Sequence, residues 1–220
     1  MLPLLLLACA VAPDPAHEPA SPGCPEQMAR IEGAGGAYCI HRFEVQVRGD
    51  LGDLDQRAIW PTLAARPTSL TAAAGTLPTS GSSWYQAKGS CEAMGWALCT
   101  SQQWEDACDG QPGPGGRAHP TADGTIGRDT CNIEHTLSKV QEPSGSYLAC
   151  RTPDGVYDLE GNLWEWTDPG RQGEDGVPLA DKRGGGHYSG RVARCDQAAI
   201  GVDSPSFSGT IGFRCCTPAL

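Results

Sequence analysis

Gly155-Val-Tyr-Asp-Leu-Glu-Gly-Asn-Leu-Trp-Glu-Trp-Thr167 is the most informative stretch of this 220-residue chain. It offers the carboxylates of Asp158 and Glu165, and Gly161 permits a tight turn that points backbone carbonyls inward. Calcium binds several oxygens and combines carboxylates with such carbonyls. The stretch therefore indicates a calcium-binding turn. The alternative is an ordinary turn with solvated acids and two core tryptophans, Trp164 and Trp166.

Two short helices are predicted before this stretch. The first is capped by Ser82 or Ser83, runs to about Met94 and ends at the glycine that follows. The second is capped by Thr100, with a glutamine three residues later as a capping box requires, and Gly110 ends it. Apolar residues at spacings of three and four give each helix a buried face: Trp84, Ala87, Cys91 and Met94 on the first, and Trp104, Ala107 and Cys108 on the second.

The remaining segments are predicted to be short strands and loops. Residues 38–47 (YCIHRFEVQV) alternate enough to be a strand. Residues 48–80 are expected to be loop with one short strand, residues 109–130 are Gly/Pro-rich loop, and the chain from Cys131 onward has no helical period. The predicted class is α+β, with two short helices, small antiparallel sheets and many loops held by disulfides.

Composition and charge exclude several classes of protein. The chain has 16 Lys and Arg against 26 Asp and Glu, a net charge of −10 without any basic block, which argues against a nucleic-acid partner. Its longest apolar run is too short to span a bilayer as a helix. Its 29 glycines and 18 prolines follow no period, which excludes collagen and disfavours a coiled coil.

Cysteine usage and the N-terminus indicate export. Eleven cysteines are many for a cytosolic protein, where thiols stay reduced. Residues 1–8 (MLPLLLLA) precede Cys9 and resemble a bacterial lipoprotein signal segment, and residues 9–22 have the composition of a Pro/Ala-rich tether. We expect Cys9 to carry lipid in a bacterial cell envelope, and a folded domain over residues 23–220. The alternative is a frayed apolar N-terminus. With Cys9 lipidated, ten cysteines remain, and this even number predicts five disulfides.

Three motifs in chain order resemble those of one family. They are residues 83–91 (SWYQAKGSC) with 95–105 (GWALCTSQQWE) and Ala107-Cys108, then residues 155–167, and then residues 183–188 (RGGGHY) closing with 212–215 (GFRC). This order resembles the sulfatase-modifying-factor domain of the formylglycine-generating enzymes, over roughly residues 23–218. The resemblance implies a disulfide-containing relative of the C-type lectin fold.

The resemblance also implies a set of calcium ligands. In the family, the positions that match Asp158, Gly161, Leu163 and Glu165 bind a calcium ion. Asp158 and Glu165 are then expected to give side-chain oxygens, and Gly161 and Leu163 backbone oxygens.

A second calcium site of the family begins at an Asn-Ile pair, which Asn132 and Ile133 match. The later acidic ligand of that site has no clear counterpart in this sequence. Asn132 and Ile133 are therefore the weaker of the two predicted calcium sites.

The family's catalytic copper site is not matched. Formylglycine-generating enzymes hold copper between two cysteines just after a Gly-Gly-Ser-Tyr-like turn, because soft Cu(I) needs thiolates. Here the first copper position, two residues after Tyr188, is Gly190, and the serine of the turn is His187. Cys195 follows Arg194 as a bridging cysteine does in this family. We therefore expect no copper and no catalytic residue.

Analogy with the family also implies how the cysteines pair. The expected bridges are Cys91–Cys215, Cys99–Cys216, Cys108–Cys195, Cys24–Cys39 and Cys131–Cys150, with the partners of Cys91 and Cys99 open to exchange between Cys215 and Cys216.

Two classes of function remain after these observations. One is an exported, lipid-anchored, calcium-stabilised binding module without catalysis, which presents its loops to a protein or a glycan. The other is an oxidase of the formylglycine-generating type or a related metal-dependent oxidoreductase. A spacer of the cell envelope is a third possibility. The sequence indicates neither the ligand nor the oligomeric state.

Overall fold

The computed structural model describes residues 18–50, 66–111, 115–134, 140–174, 176–203 and 208–220. The predicted signal segment, with Cys9, lies outside these residues. Within them, no helix is both long enough and apolar enough to cross a membrane.

The described elements are two α-helices, ten short strands and one 3₁₀ turn. In chain order they are β1 (Met28–Gly33), β2 (Gly36–His41), β3 (Gln46–Asp50), β4 (Arg66–Thr71), α1 (Trp84–Ala93), β5 (Ala97–Leu98), α2 (Ser101–Asp109), β6 (Trp164–Thr167), β7 (Leu179–Arg183), the 3₁₀ turn (Gly190–Val192), β8 (Ala198–Asp203), β9 (Ile211–Phe213) and β10 (Cys215–Pro218). This content confirms the predicted α+β class.

Two four-stranded sheets and one hairpin organise the chain. The first sheet has the order β1-β2-β10-β5 and is antiparallel throughout, so the last strand lies between the second strand and the short strand after α1. The second sheet has the order β8-β7-β6-β9, in which β6 and β9 are parallel. The hairpin β3-β4 forms the third sheet. The ends of the described chain therefore meet in one sheet.

Both helices begin and end where the sequence predicts. Ser83 caps α1 and Thr100 caps α2, and each forms a full capping box with the glutamine three residues later. Gly110 ends α2 with φ 78° and ψ 20°, a left-handed conformation that glycine adopts without steric cost. The buried faces of the helices include Trp84 and Trp104, which pack into two neighbouring hydrophobic clusters.

The single strand predicted over residues 38–47 is wrong. The segment contains β2, which ends at His41, and β3, which begins at Gln46 in another sheet. Residues 42–45 between them are all buried, so the in–out alternation of a half-buried strand fails. The backbone of this segment forms its hydrogen bonds with other parts of the chain. The Arg42 N–H donates to the Gln27 carbonyl, and the Val45 N–H donates to the Phe213 carbonyl, each at 3.0 Å.

The packed part of the chain also begins before the predicted start at residue 23. Glu18 is held by Arg151 at 2.8 Å and by the Tyr157 hydroxyl at 2.9 Å. The Arg42 guanidinium donates to the Pro19 carbonyl at 2.8 Å. The segment 18–22, which composition assigns to the tether, contacts the domain because these polar groups find buried partners there.

Five disulfides connect the elements. They are Cys24–Cys39, Cys91–Cys215, Cys99–Cys216, Cys108–Cys195 and Cys131–Cys150. These are the pairs that the family resemblance implied. Two of them join α1 and the end of β5 to β10. A bridge that closes a loop of this length stabilises a fold by about 2–4 kcal/mol, chiefly by restricting the unfolded chain.

A buried histidine makes the stability of the fold depend on pH. His41 is 1% exposed, and its Nδ1 accepts the backbone N–H of Cys215 at 3.3 Å. Burial, with a contribution from Arg214, lowers the pKa of His41 to about 3. An unfolded histidine titrates near pH 6.5, so between about pH 6.5 and 3 the unfolded chain binds a proton that the folded chain does not. The free energy of unfolding therefore falls as the pH falls through that range.

We predict that the variant His41→Asn, which keeps an acceptor for the Cys215 N–H, loses less stability than the unchanged chain between pH 6.5 and pH 4.5. The difference is expected to be on the order of 2 kcal/mol. Urea unfolding at both pH values measures it. An equal loss in the two proteins would show that His41 does not titrate in this way.

Candidate functional site

Glu165 and Arg214 form the centre of the candidate site. Glu165 lies on β6, Arg214 lies between β9 and β10, and neither side chain is exposed to solvent. The parallel pairing of β6 with β9 sets Glu165 opposite Gly212, two residues before Arg214. The Gly-Phe-Arg-Cys motif therefore brings its guanidinium to the carboxylate of the Trp-Glu-Trp motif.

The two side chains form a forked ion pair. Arg214 Nε donates to Glu165 Oε2 at 2.7 Å, and an η nitrogen donates to Oε1 at 2.5 Å. The Trp104 indole N–H donates to Oε2 at 2.7 Å. The guanidinium also donates to the carbonyls of His41, at 3.0 Å, and Tyr157, at 2.9 Å. Arg214 thus links β2, β6 and the turn at residue 157, in the planar geometry that suits a guanidinium.

Two further acids, Glu44 and Asp158, are buried around this pair. Glu44 accepts the backbone N–H of Leu163 at 3.0 Å and the side-chain amide of Asn162 at 2.5 Å. Asp158 accepts the backbone N–H of Gly145 at 2.7 Å. The hydrogen bonds hold Glu44 against the turn that precedes β6, and they tie Asp158 of that turn to the segment at Gly145.

Burial makes the charged forms of these acids costly. It raises the pKa of Asp158 to about 7. Burial, together with repulsion from Asp158 and Glu165, raises the pKa of Glu44 well above its ordinary value. Full ionisation of the cluster sets three carboxylates against the one guanidinium of Arg214, which leaves two uncompensated negative charges in the interior.

The charge of this cluster suits a divalent cation such as the calcium ion that the family implies, but among the described residues the carboxylates of Glu44, Asp158 and Glu165 do not form a group with ligand atoms within 4.8 Å of one another. A divalent cation would balance the two excess charges of the buried carboxylates. A carboxylate offers about four lone-pair positions, so the hydrogen bonds already made to Asp158 leave room for a ligand bond. Calcium takes such oxygens together with backbone carbonyls.

The turn that carries the predicted ligands has an unusual backbone. Asp158 and Asn162 have φ values of 56° and 52°, and Gly161 has φ 86°. A Cβ on Gly161 would lie 2.5 Å from the backbone oxygen of Asn132, so only glycine fits. Left-handed conformations at two other residues cost free energy and persist where the surroundings hold them.

Asp158, Gly161, Leu163 and Glu165 lie within this one turn and the start of β6, and their binding of calcium stays a prediction. Glu165 has less capacity to bind an ion than an unpaired carboxylate has, because both of its oxygens already accept hydrogen bonds. Sequence reasoning missed Glu44. The sequence did contain a signal for Glu44, because it is the single acid between two apolar residues, Phe43 and Val45. In the structure all three residues are buried.

Asn132 and Ile133, the predicted second calcium site, bond to two different turns. The Asn132 carbonyl accepts the N–H of Asn162 at 2.8 Å, and the Ile133 carbonyl accepts the N–H of Gly190 at 2.7 Å. The Asn132 Oδ1 atom is buried and has no partner among the described residues. The second calcium site stays a prediction.

The turn that matches the catalytic turn of the family carries no pair of thiols. His187 is buried, its Nδ1 lies 3.0 Å from the carbonyl of Asn162, and Tyr188 beside it is half exposed. Gly190 begins the 3₁₀ turn, and Cys195 is bonded to Cys108.

Comparisons with known proteins identify the family of the chain. The model of the family described as "Sulfatase-modifying factor enzyme 1-like domain" matches residues 53–219, and the chain therefore belongs to that family. Among the curated proteins, none matches.

Solved structures share the C-type-lectin-like fold at low sequence identity. CarF is 16% identical with a TM-score of 0.59, over 84% of this chain and 87% of its own. Treponema denticola variable protein 1 is 12% identical with a TM-score of 0.53, over 89% and 92%. The U1 variant of the Major Tropism Determinant is 15% identical with a TM-score of 0.55, over 91% of this chain and 55% of its own. At these identities the likeness shows the fold alone.

We predict that Glu165→Gln destabilises the domain by about 3–5 kcal/mol, because one carboxylate oxygen becomes an amide NH2 group that cannot accept the hydrogen bonds of the buried Arg214 guanidinium and Trp104 indole. The matched control is Glu32→Gln, which removes the acid of an exposed pair with Arg30 and is expected to cost less than about 1 kcal/mol. Denaturant unfolding of both variants measures the difference. Equal, small losses would contradict a central role for the Glu165–Arg214 pair.

Proposed function

We propose that the chain is a non-catalytic binding module of the sulfatase-modifying-factor family, stabilised by calcium and exported to a bacterial cell envelope on a lipid anchor at Cys9. One observation carries the non-catalytic part: Cys195 is bonded to Cys108, and the other copper position is Gly190.

The state of the cysteines supports this proposal. A Cu(I) site for an oxidase needs two thiolates at one place. All ten cysteines among the described residues are paired in disulfides. The turn instead offers a buried histidine and a half-exposed tyrosine, which are groups that pack or contact a partner. An oxidase of the formylglycine-generating type has no such observation in its favour.

The buried acids support the calcium part. Asp158 and Glu165 would supply carboxylate oxygens, and Gly161 and Leu163 backbone oxygens, with Glu44 as a further acid of the cluster. Bound calcium would supply positive charge there and fix the turn. The carbonyls and carboxylates of this chain hold the turn in a shape that presents neighbouring loops to a protein or glycan partner.

The contacts of Glu18 with Arg151 and Tyr157 limit how far the packed domain would lie from a lipid on Cys9. They bring the packed chain to within nine residues of Cys9. A fully extended chain of nine residues spans at most about 30 Å. A lipid on Cys9 would therefore keep the module close to the membrane surface.

The first test measures free thiols. The full chain is unfolded without reductant and treated with an alkylating reagent, and its peptides are mapped by mass spectrometry. We expect all ten described cysteines in five bridges and no label on Cys195. A labelled Cys195 together with tight Cu(I) binding would instead favour the oxidase.

The second test measures calcium. At calcium concentrations about 100-fold above Kd, an ion that binds only the folded state adds about 2.7 kcal/mol, which raises the Tm of a domain of this size by several degrees relative to chelator. Asp158→Asn is expected to lose most of this calcium-dependent increase, because the amide oxygen can still bind the ion but carries no negative charge. It should unfold no earlier than the unchanged chain in chelator, because it also removes a buried charge.

The control for the calcium test is Asp129→Asn, since the Asp129 side chain is 96% exposed. This variant should keep the whole increase. Persistence of the increase in Asp158→Asn, or no increase in the unchanged chain, would contradict calcium binding at this turn.

A further inference from the structure

We propose that Cys108, Cys195 and Glu160 form a zinc site when the Cys108–Cys195 disulfide is reduced. The site is distinct from the calcium turn in its ligands, and it extends beyond the function proposed above.

The geometry of three ligand atoms carries the proposal. Within the described parts of the chain, one group of three His, Cys, Asp or Glu side chains has its ligand atoms within 4.8 Å of one another: the two sulfurs and a carboxylate oxygen of Glu160. Tetrahedral zinc with Zn–S bonds of about 2.3 Å sets two sulfurs about 3.8 Å apart. The sulfurs need only separate by that amount for an ion to lie between them and the acid.

Glu160 is an unusual neighbour for a disulfide. Its side chain is fully buried, its Oε2 lies 2.9 Å from Nδ1 of His119, and its Oε1 has no hydrogen-bond partner in the described residues. A buried carboxylate oxygen without a partner costs free energy unless something binds it. The histidine would orient the carboxylate in the way that outer partners orient metal ligands.

The segments that carry these ligands are held by contacts other than the bridge. Cys108 lies on α2, where Trp104 donates to the buried Glu165. The backbone N–H of Cys195 donates to Ala118 at 3.0 Å, in the segment that carries His119. Opening the bridge therefore leaves both sulfurs close to Glu160.

The donor set selects zinc. Two thiolates with one carboxylate combine soft and hard ligands, which suits a borderline ion such as Zn²⁺, whereas Cu(I) favours sulfur alone. Three protein ligands leave the fourth tetrahedral position for water.

The chemical step balances with a dithiol reductant. The dithiol gives two electrons to the Cys108–Cys195 bond, the S–S bond breaks, and the dithiol becomes a disulfide. Its two protons pass to the freed thiols. Zinc then displaces these protons as the thiolates bind, so that metal binding releases protons.

The experiment uses the full chain and a phosphine reductant, which does not add thiols that compete for zinc. The phosphine is oxidised to its oxide with oxygen from water. The reduced protein is alkylated with and without one equivalent of zinc, and the label on each cysteine is quantified by mass spectrometry. We expect zinc to slow the labelling of Cys108 and Cys195 about tenfold, and to leave Cys91 and Cys215, an equally buried pair, unchanged.

A second measurement is independent of labelling. Competition with a zinc-chelating dye should show that Glu160→Gln binds zinc about tenfold more weakly in the reduced state, while Glu92→Gln, at an exposed position, binds as the unchanged chain does. Uniform protection of all cysteines, no protection of Cys108 and Cys195, or unchanged zinc affinity in Glu160→Gln would overturn the proposal.

Discussion

The rest of the structure depends on one buried ion pair, Arg214 with Glu165. Two charges in the interior are tolerated only where good geometry and further hydrogen bonds offset the loss of hydration. Here the guanidinium fork meets both oxygens of the carboxylate, and Trp104 completes the shell. Because the same guanidinium reaches the His41 carbonyl, the end of β2 and the Gly-Phe-Arg-Cys motif near the end of the chain come together at one point.

The acids around the pair connect stability with function. Glu44 and Asp158 add negative charge that Arg214 alone does not balance. A protein can offset this excess negative charge by keeping protons on the acids or by binding a cation. These two solutions have different effects on the structure of the turn before β6. We propose that the cation is calcium, which would hold the turn in the left-handed conformation that Asp158 and Asn162 adopt.

Local features of the sequence were enough to predict part of this fold. The helix caps at Ser83 and Thr100 act within three residues, so the boundaries of α1 and α2 follow from sequence alone. The break after His41 does not follow from the local sequence, because the hydrogen-bond partners of residues 42–45 lie far away in the chain. The same holds for Glu44: its burial depends on Leu163, 119 positions later. The sequence predicted Glu165 as a calcium ligand but not its ion pair with Arg214, because that pairing requires the parallel register of β6 and β9.

Native-state hydrogen exchange at the side chains of Arg214 and Trp104 tests directly whether the Glu165–Arg214 pair holds the fold together. The Arg214 Nε–H and the Trp104 indole N–H both donate to Glu165, so our account predicts that they exchange only when the whole domain unfolds, with the free energy found by denaturant unfolding. Exchange of either proton through a local opening of much lower free energy would contradict the claim that this pair holds the fold together.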